Sequence, residues 1–507
     1  MADHPDQDSD KRPLVVRGAC LLDGYERDGE AADILVRDGV IAEIGAPGMP
    51  APGEARVLES AGRLIIPGLV NAHTHSHYTL MKGVPGRWTL ELHLHAGGWM
   101  SGGREEEDLY TGALLGAAEM LRHGCTSCYD MVLELPAPSL EGIGRVAQAY
   151  ADAGMRAVIS PMVADRTFWE SIPGLLEAVP EPLREPLASL RANPGTHTLE
   201  ACRRLLHDWP LDRHWVGLAV APAIPLLCSD AFLVACRDLA QDYGVGLHTH
   251  LAESKVQAVA GLRRYGESLT AHLGRLDVLG PRMTAAHAVW LARDDLLRLA
   301  DRGASIAHNP SSNLRLGNGL AAVRSMLDAG LNVGVGTDTS TCSDHLNMFE
   351  ASRLAAQASR LQTPDYSHWL SAREVLRMAT HGSAQALGLE RCGRLEAGYK
   401  ADLVFLDLED MTYVPLNNAL NQVVFSETGR NVRRVMVDGR VVVEDGEFTQ
   451  FDLRPLLARA RETSERIKSR TAPRRAELEP LAEIVGSFCV GLAQTPHSVN
   501  RYMEPLG

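Results

Sequence analysis

The chain reads as an α/β protein, a (β/α)8 barrel of the TIM type joined to a small β-sandwich built from both chain ends. Three observations predict this. Between residues 66 and 390, short apolar runs of strand length alternate with helical stretches, eight strands in all. β-rich segments punctuated by Gly and Asp turns flank that middle on both sides. Finally, polar side chains suited to chemistry fall where apolar runs stop, which in a parallel barrel is the mouth.

The elements follow in order. The acidic, polar start, residues 1–12, is unlike a secretory signal and is expected to be a disordered tail. Residues 13–65 carry short strands, Leu14–Arg17, Asp33–Val36 and Val40–Ile44. A matching set lies in 391–450: Ala401–Leu406, Gln422–Phe425, and Val432–Val437 with the turn Asp438-Gly439 before Val441–Val443. The two pieces are expected to form one composite domain. Barrel strands are expected at Leu69–Ala72, Cys125–Met131, Arg156–Pro161, Val216–Ala221, Gly246–His250, Met283–Ala286, Ala304–Ala307 and Val333–Gly336. Helices such as Leu109–His123, Ile143–Ala153, Ala231–Tyr243 and Leu291–Asp301 separate them. The long Pro-, Arg- and Glu-rich segment 163–209 reads as an additional lid. Residues 451–507 read as a helical extension for packing or subunit contact, with no assignment for 486–507.

Composition narrows the function. The net charge of −14, from 64 acidic and 50 basic residues without a dense basic stripe, disfavours a nucleic-acid partner. No run of about 18 apolar residues is present, so no membrane span is expected. Nine scattered cysteines fit reduced thiols and a cytoplasmic location. The close pair Cys125 and Cys128 lacks a second pair to complete a zinc site and reads as part of a buried strand.

The chemistry sits at the strand ends. Pro67-Gly68-Leu69-Val70-Asn71-Ala72 runs into His73-Thr74-His75, and side chains at i and i+2 leave a strand on one face, where two imidazoles can grip a metal. The fifth strand ends His248-Thr249-His250 and is followed by Glu253; the sixth ends at His287 and the eighth at Gly336-Thr337-Asp338. His248 lies deeper than His250 and reads as a packed, hydrogen-bonded residue. His77 reads as a loop residue, and His308 as a hydrogen-bonding residue at the seventh strand end.

With these segments in view, the chain resembles the amidohydrolase superfamily, in particular its branch of triazine hydrolases and nucleobase and nucleoside deaminases. The matching stretches are the HxH after Pro-Gly-Leu-Val-Asn, His-Leu-Ala-Glu at 250–253, Ala-His-Ala-Val-Trp at 286–290, His-Asn-Pro-Ser-Ser-Asn-Leu at 308–314, Gly-Thr-Asp at 336–338, and Gly393 to Leu403. The resemblance spans roughly residues 13 to 450. It implies one zinc per subunit held by His73, His75, His250 and Asp338; iron or manganese suits the same donors. The fourth strand segment carries no lysine, so a two-metal site bridged by a carboxylated lysine is not expected. The resemblance further implies that Glu253 shuttles a proton, that Asp338 doubles as a base, and that His287 polarises the water or the oxyanion. The implied reaction is attack of metal-activated water on an amidine-like ring carbon with loss of ammonia.

Two positions depart from that pattern. The loop expected at Lys82–His95 places His93 where relatives use an aromatic residue against the base, so His93 is expected to bind substrate. The fourth strand ends Ala221-Pro222-Ala223 where many relatives have Gly-Pro-His. The lost histidine removes a hydrogen-bond partner of adenosine-type substrates. The expectation is therefore a zinc-dependent deaminase of an amino-substituted nitrogen heterocycle, homodimeric or larger. One alternative is hydrolysis of a cyclic amide or of another leaving group, such as triazine C–N or C–Cl hydrolysis. The other is a non-catalytic assembly protein of the same fold; the full set of ligands and the shuttle argue against it.

Overall fold

The computed structural model describes residues 12–184, 187 and 193–502. All of the expected tail except Arg12 lies outside the described residues. Eight parallel strands form the central sheet: β6 (Leu69–Thr74), β7 (Cys125–Val132), β8 (Arg156–Val163), β9 (Val216–Pro222), β10 (Gly246–Leu251), β11 (Met283–His287), β12 (Ser305–His308) and β13 (Asn332–Val335). They neighbour one another in chain order. The sheet closes where Asp338 N–H donates to the His73 carbonyl at 2.9 Å and Thr74 bridges Asp338 in parallel. β7 and β9 are buried at every residue, as strands covered on both faces must be. Helices Glu106–Arg122, Leu140–Ala153, Asp230–Asp242, Lys255–Tyr265 and Arg293–Asp301 pack outside them.

A nine-stranded sheet lies alongside. It joins β1 (Leu14–Leu22), β2 (Asp28–Arg37), β3 (Val40–Gly45), β4 (Arg56–Glu59) and β5 (Arg63–Pro67) to β14 (Leu403–Asp407), β15 (Val432–Val437), β16 (Arg440–Glu444) and β17 (Glu447–Phe448). The seam between the chain ends is the antiparallel pair β5–β14, Leu403 opposite Pro67. Its core is apolar, with Val16, Leu21, Ile34, Ile65 and Phe405 fully or almost fully buried. Gln422–Phe425 is not a strand but the end of a helix, Ala419–Phe425, started by Asn418, whose side chain accepts from Asn421 N–H.

The chain after β17 forms helices Leu453–Leu478 and Ala482–Ala493. Leu481, Val485 and Cys489 share a buried apolar cluster with Trp99 and Met100 and with Trp169 and Leu175 of the 163–209 segment. That segment is thus anchored against the carboxy-terminal helices. All nine cysteines are free thiols, and Cys125 and Cys128 are buried in β7.

Candidate active site

The first, fifth, sixth and eighth strands deliver their polar residues to one buried point. His73 and His75 come from β6 and the residue after it, His250 from β10, His287 from β11, and Asp338 from just past β13. Three overlapping sets have donor atoms mutually within 4.8 Å: His73, His75 and Asp338; His73, His250 and His287; and Glu253, His287 and Asp338. His287 (φ 70°) and Asp338 (φ 60°) adopt left-handed backbone, a conformation costing about 1–3 kcal/mol that tends to persist where the surroundings enforce a functional geometry.

The imidazoles are held so that Nε2 faces inward. His75 Nδ1–H donates to the Met131 carbonyl and His250 Nδ1–H to the Ala223 carbonyl, both at 2.7 Å. His73 Nδ1 meets His248 Nε2 at 3.1 Å, and His248 Nδ1 meets Ser160 Oγ at 3.3 Å, a chain of polar contacts that orients the His73 ring. His287 Nδ1 lies 3.0 Å from Asn313 Oδ1. Two consequences test whether a cation fits. The Nε2 atoms of His73 and His287 are buried with no partner. The Nε2 atoms of His75 and His250 face each other at 3.3 Å, and His75 Nε2 lies 3.3 Å from Asp338 Oδ1. Lone pairs so opposed repel unless a cation sits between them. Burial, then the neighbouring imidazoles, holds His250 down at about 3 and pushes His73 well below the usual range, so both offer neutral nitrogen. Three neutral imidazoles and a carboxylate fit a zinc ion.

Across from these donors lies Glu253, buried, immediately before the helix Lys255–Tyr265 and its N-cap Ser254. Its Oε2 stands 3.6 Å from His287 Nε2, while Oε1 accepts from Asn318 Nδ2 at 3.0 Å. Burial, then Asp338, then Glu91 push its carboxyl well above the usual carboxylate range; the Asn318 bond opposes them. Asp338 is pulled the other way: burial raises it, but His287 and His75 outweigh burial and set it near 2. One carboxyl that readily carries a proton beside one that stays ionised is the division of labour acid–base catalysis needs.

Other expected positions differ in detail. His93 lies not in a loop but in the helix Leu90–Met100, capped by Thr89; it is buried, with Nε2 2.9 Å from Thr341 Oγ1 and its ring 5.5 Å from Tyr78. His77 is buried in the 3-10 turn Ser76–Met81 rather than looped out. His248 is packed, its ring stacked 4.0 Å from Tyr129. His308 ends β12 with its carbonyl accepting from Gly336 N–H, but its Nδ1 has no partner.

Sequence reasoning missed Asn318 and what holds it. The Asn318 carbonyl accepts from Trp290 Nε1 at 2.7 Å. Arg501, near the carboxy terminus, donates to the Val289 and Leu291 carbonyls at 2.9 and 2.6 Å, and its own carbonyl accepts from Leu320 N–H. The unassigned terminal segment therefore straps both sides of the Glu253 partner. No spacing rule links residues this far apart.

Comparison with known proteins agrees with the geometry. Residues 64–442 match the model of the amidohydrolase family. The chain is 33% identical over 460 residues to a 5-methylthioadenosine/S-adenosylhomocysteine deaminase of Syntrophobacter fumaroxidans, covering 90% of this chain and 98% of that one. It is 31% identical over 461 residues to a 5'-deoxyadenosine deaminase of Methanosarcina mazei, covering 90% and 99%. Among solved structures it superposes on the zinc complex of an atrazine chlorohydrolase from Arthrobacter aurescens with a TM-score of 0.80, 29% identity and coverage of 89% and 100%. A zinc-bound adenosine deaminase from Xanthomonas campestris gives 0.78, 27%, and 90% and 98%. With a closed barrel, opposed histidine lone pairs at its mouth and a family match across most of its length, the chain belongs to the amidohydrolase family.

Proposed function

We propose that the chain is a zinc-dependent hydrolytic deaminase of an amino-substituted nitrogen heterocycle, with His73, His75, His250 and Asp338 holding the metal. The observation that carries this reading is the placement of Glu253, with its raised carboxyl 3.6 Å from His287, opposite the ionised Asp338. When bound, zinc supplies Lewis-acid activation of a water at neutral pH. Ionised Glu253 takes a proton from that water and hands it to a ring nitrogen beside the amino-bearing carbon. Burial favours the protonated form of Glu253, so once ionised it accepts a proton readily. His287, whose Nδ1 is engaged by Asn313, presents Nε2 as an acceptor for the water's other hydrogen. Ionised Asp338 takes the remaining proton from the hydroxyl added to the ring carbon and gives it to the amino nitrogen; the C–N bond breaks, ammonia leaves, and Asp338 is ionised again. His93, between Tyr78 and the Thr341 turn, contacts the heterocycle.

The similarity to 5'-modified adenosine deaminases supports a nucleoside-like substrate. The similarity to the atrazine chlorohydrolase supports a second reading, displacement of another leaving group from a triazine-like ring by the same residues. Ammonia release against chloride release from a matched panel separates the two. Among the described residues no helix is long and apolar enough to cross a membrane. A homodimer or larger homo-oligomer is the assembly the family resemblance supports, and light scattering showing a monomer would overturn it; the nine free cysteines support a cytoplasmic location.

A further inference from the structure

The turn that follows β13 carries Asp338 at its start and a buried free thiol, Cys342, at its end. The mechanism above does not use that thiol. Cys342 N–H donates to the Thr339 carbonyl at 3.0 Å, which closes the turn and fixes the sulfur. Cys342 Sγ lies 3.3 Å from Asp338 Oδ2. A carboxylate oxygen can only accept, so the thiol hydrogen lies between the two atoms. Ser312, in the short helix after β12, donates from Oγ to the same sulfur at 3.4 Å and helps to keep Asp338 ionised. Hydrogen bonds in such a chain polarise one another, which strengthens a thiol as a donor.

The two oxygens of Asp338 have different neighbours. Oδ1 stands 3.3 Å from His75 Nε2 and 3.6 Å from His73 Nε2, and it accepts from Thr339 N–H at 2.7 Å. Oδ2 points the other way, 3.8 Å from His287 Nε2 and against the Cys342 thiol. The oxygen left to exchange a proton with the hydroxyl and the amino nitrogen is therefore Oδ2. A carboxylate with no donor on that oxygen can turn about its Cβ–Cγ bond and offer both oxygens to a cation. The thiol stands where it stops that turn. Cys342 is itself held in place, packed between Leu90 and Leu316, and the neighbouring Thr341 Oγ1 lies 2.9 Å from His93 Nε2.

We propose that Cys342 is a positioning residue whose S–H holds Asp338 Oδ2 away from the histidine donors, so that Asp338 takes the metal through Oδ1 and carries the proton on Oδ2. The proton-carrying role rests on the deaminase reading; the hold on the carboxylate does not. The test compares Cys342→Ser, which keeps a donor, with Cys342→Ala, which keeps none, melting temperatures being checked for both. The first readout is the visible absorption of the cobalt(II)-loaded protein, which reports the number and geometry of the donor atoms. Cys342→Ser should match the parent, whereas the bands of Cys342→Ala should change in intensity and position as Oδ2 joins the metal. The second readout is ammonia release from 5'-deoxyadenosine at equal metal content. Cys342→Ala should lose about 10-fold in kcat with KM unchanged, the scale of one hydrogen bond to a charged group, and Cys342→Ser should recover most of it. A parent-like cobalt spectrum in Cys342→Ala, equal changes in both variants, or an effect confined to KM would overturn the proposal. A parent that releases no ammonia counts against the deaminase reading, and the cobalt spectra still decide on Cys342 because they do not depend on turnover.

Discussion

Asn318→Ala probes the acid–base assignment without touching a metal donor. Asn318 Nδ2 donates to Glu253 Oε1 at 3.0 Å, and both residues are buried. A donor favours the ionised carboxylate, so its loss leaves burial, Asp338 and Glu91 less opposed and the carboxyl rises further. A hydrogen bond to a charged group contributes about 1.5–3 kcal/mol, and about 1.4 kcal/mol corresponds to one pKa unit, so the expected rise is about 1–2 units. Because the reaction begins with Glu253 ionised, the acid limb of kcat/KM should move to higher pH by that amount. The assay is ammonia release across pH with zinc content measured on the same samples. Zinc should remain bound, since Asn318 contacts none of the proposed ligands. A uniform fall in rate with an unmoved acid limb would refute the role given to Glu253.

A chain ending at Ser498 loses the Arg501 bonds to Val289, Leu291 and Leu320, and its acid limb should shift in the same direction by a smaller amount; an unchanged profile would show that the strap does not position Asn318. Asp338→Ala should lose both metal and activity, and full zinc occupancy by elemental analysis would count against the ligand set. In Gly336→Ala the new Cβ would stand 2.3 Å from Asn309 Oδ1 and 2.9 Å from His73 N, one a side-chain atom and the other backbone. Overpacking of this kind costs about 1–3 kcal/mol or more, so the melting temperature and zinc affinity should fall together. The metal-free protein should lose stability as pH falls from about 6.5 towards about 3, since burial holds His250 and His308 down at about 3 while the unfolded chain takes up their protons earlier. A melting temperature flat across that window would contradict this.

The barrel was legible because its strands are short, mostly apolar runs and most of them stop at or near a histidine, proline or aspartate; β7, Cys-Thr-Ser-Cys-Tyr-Asp-Met-Val, is the exception. Short runs misled where length was the only cue. Gln422–Phe425 holds only a few β-prone residues, and the capping Asn418 four positions earlier outweighs them. Leu90–His95 alternates apolar and polar residues with a strand's period, which hid the helix that buries His93. The polar residues of the site could be picked out in sequence because His73 and His75, His250, His287 and Asp338 stand at or just past strand ends; which of them would hold a metal came from the family resemblance. Asn318, Trp290 and Arg501 could not, because their roles depend on carbonyls and indole contacts that only the folded chain brings together.

The most direct test of the account compares zinc content and ammonia release for the parent protein and Glu253→Gln over a panel of amino-substituted heterocycles. The account predicts full zinc in both proteins and ammonia only from the parent. Ammonia released at the parent rate by Glu253→Gln would contradict it, as would a zinc-loaded parent that releases none from any ring in the panel.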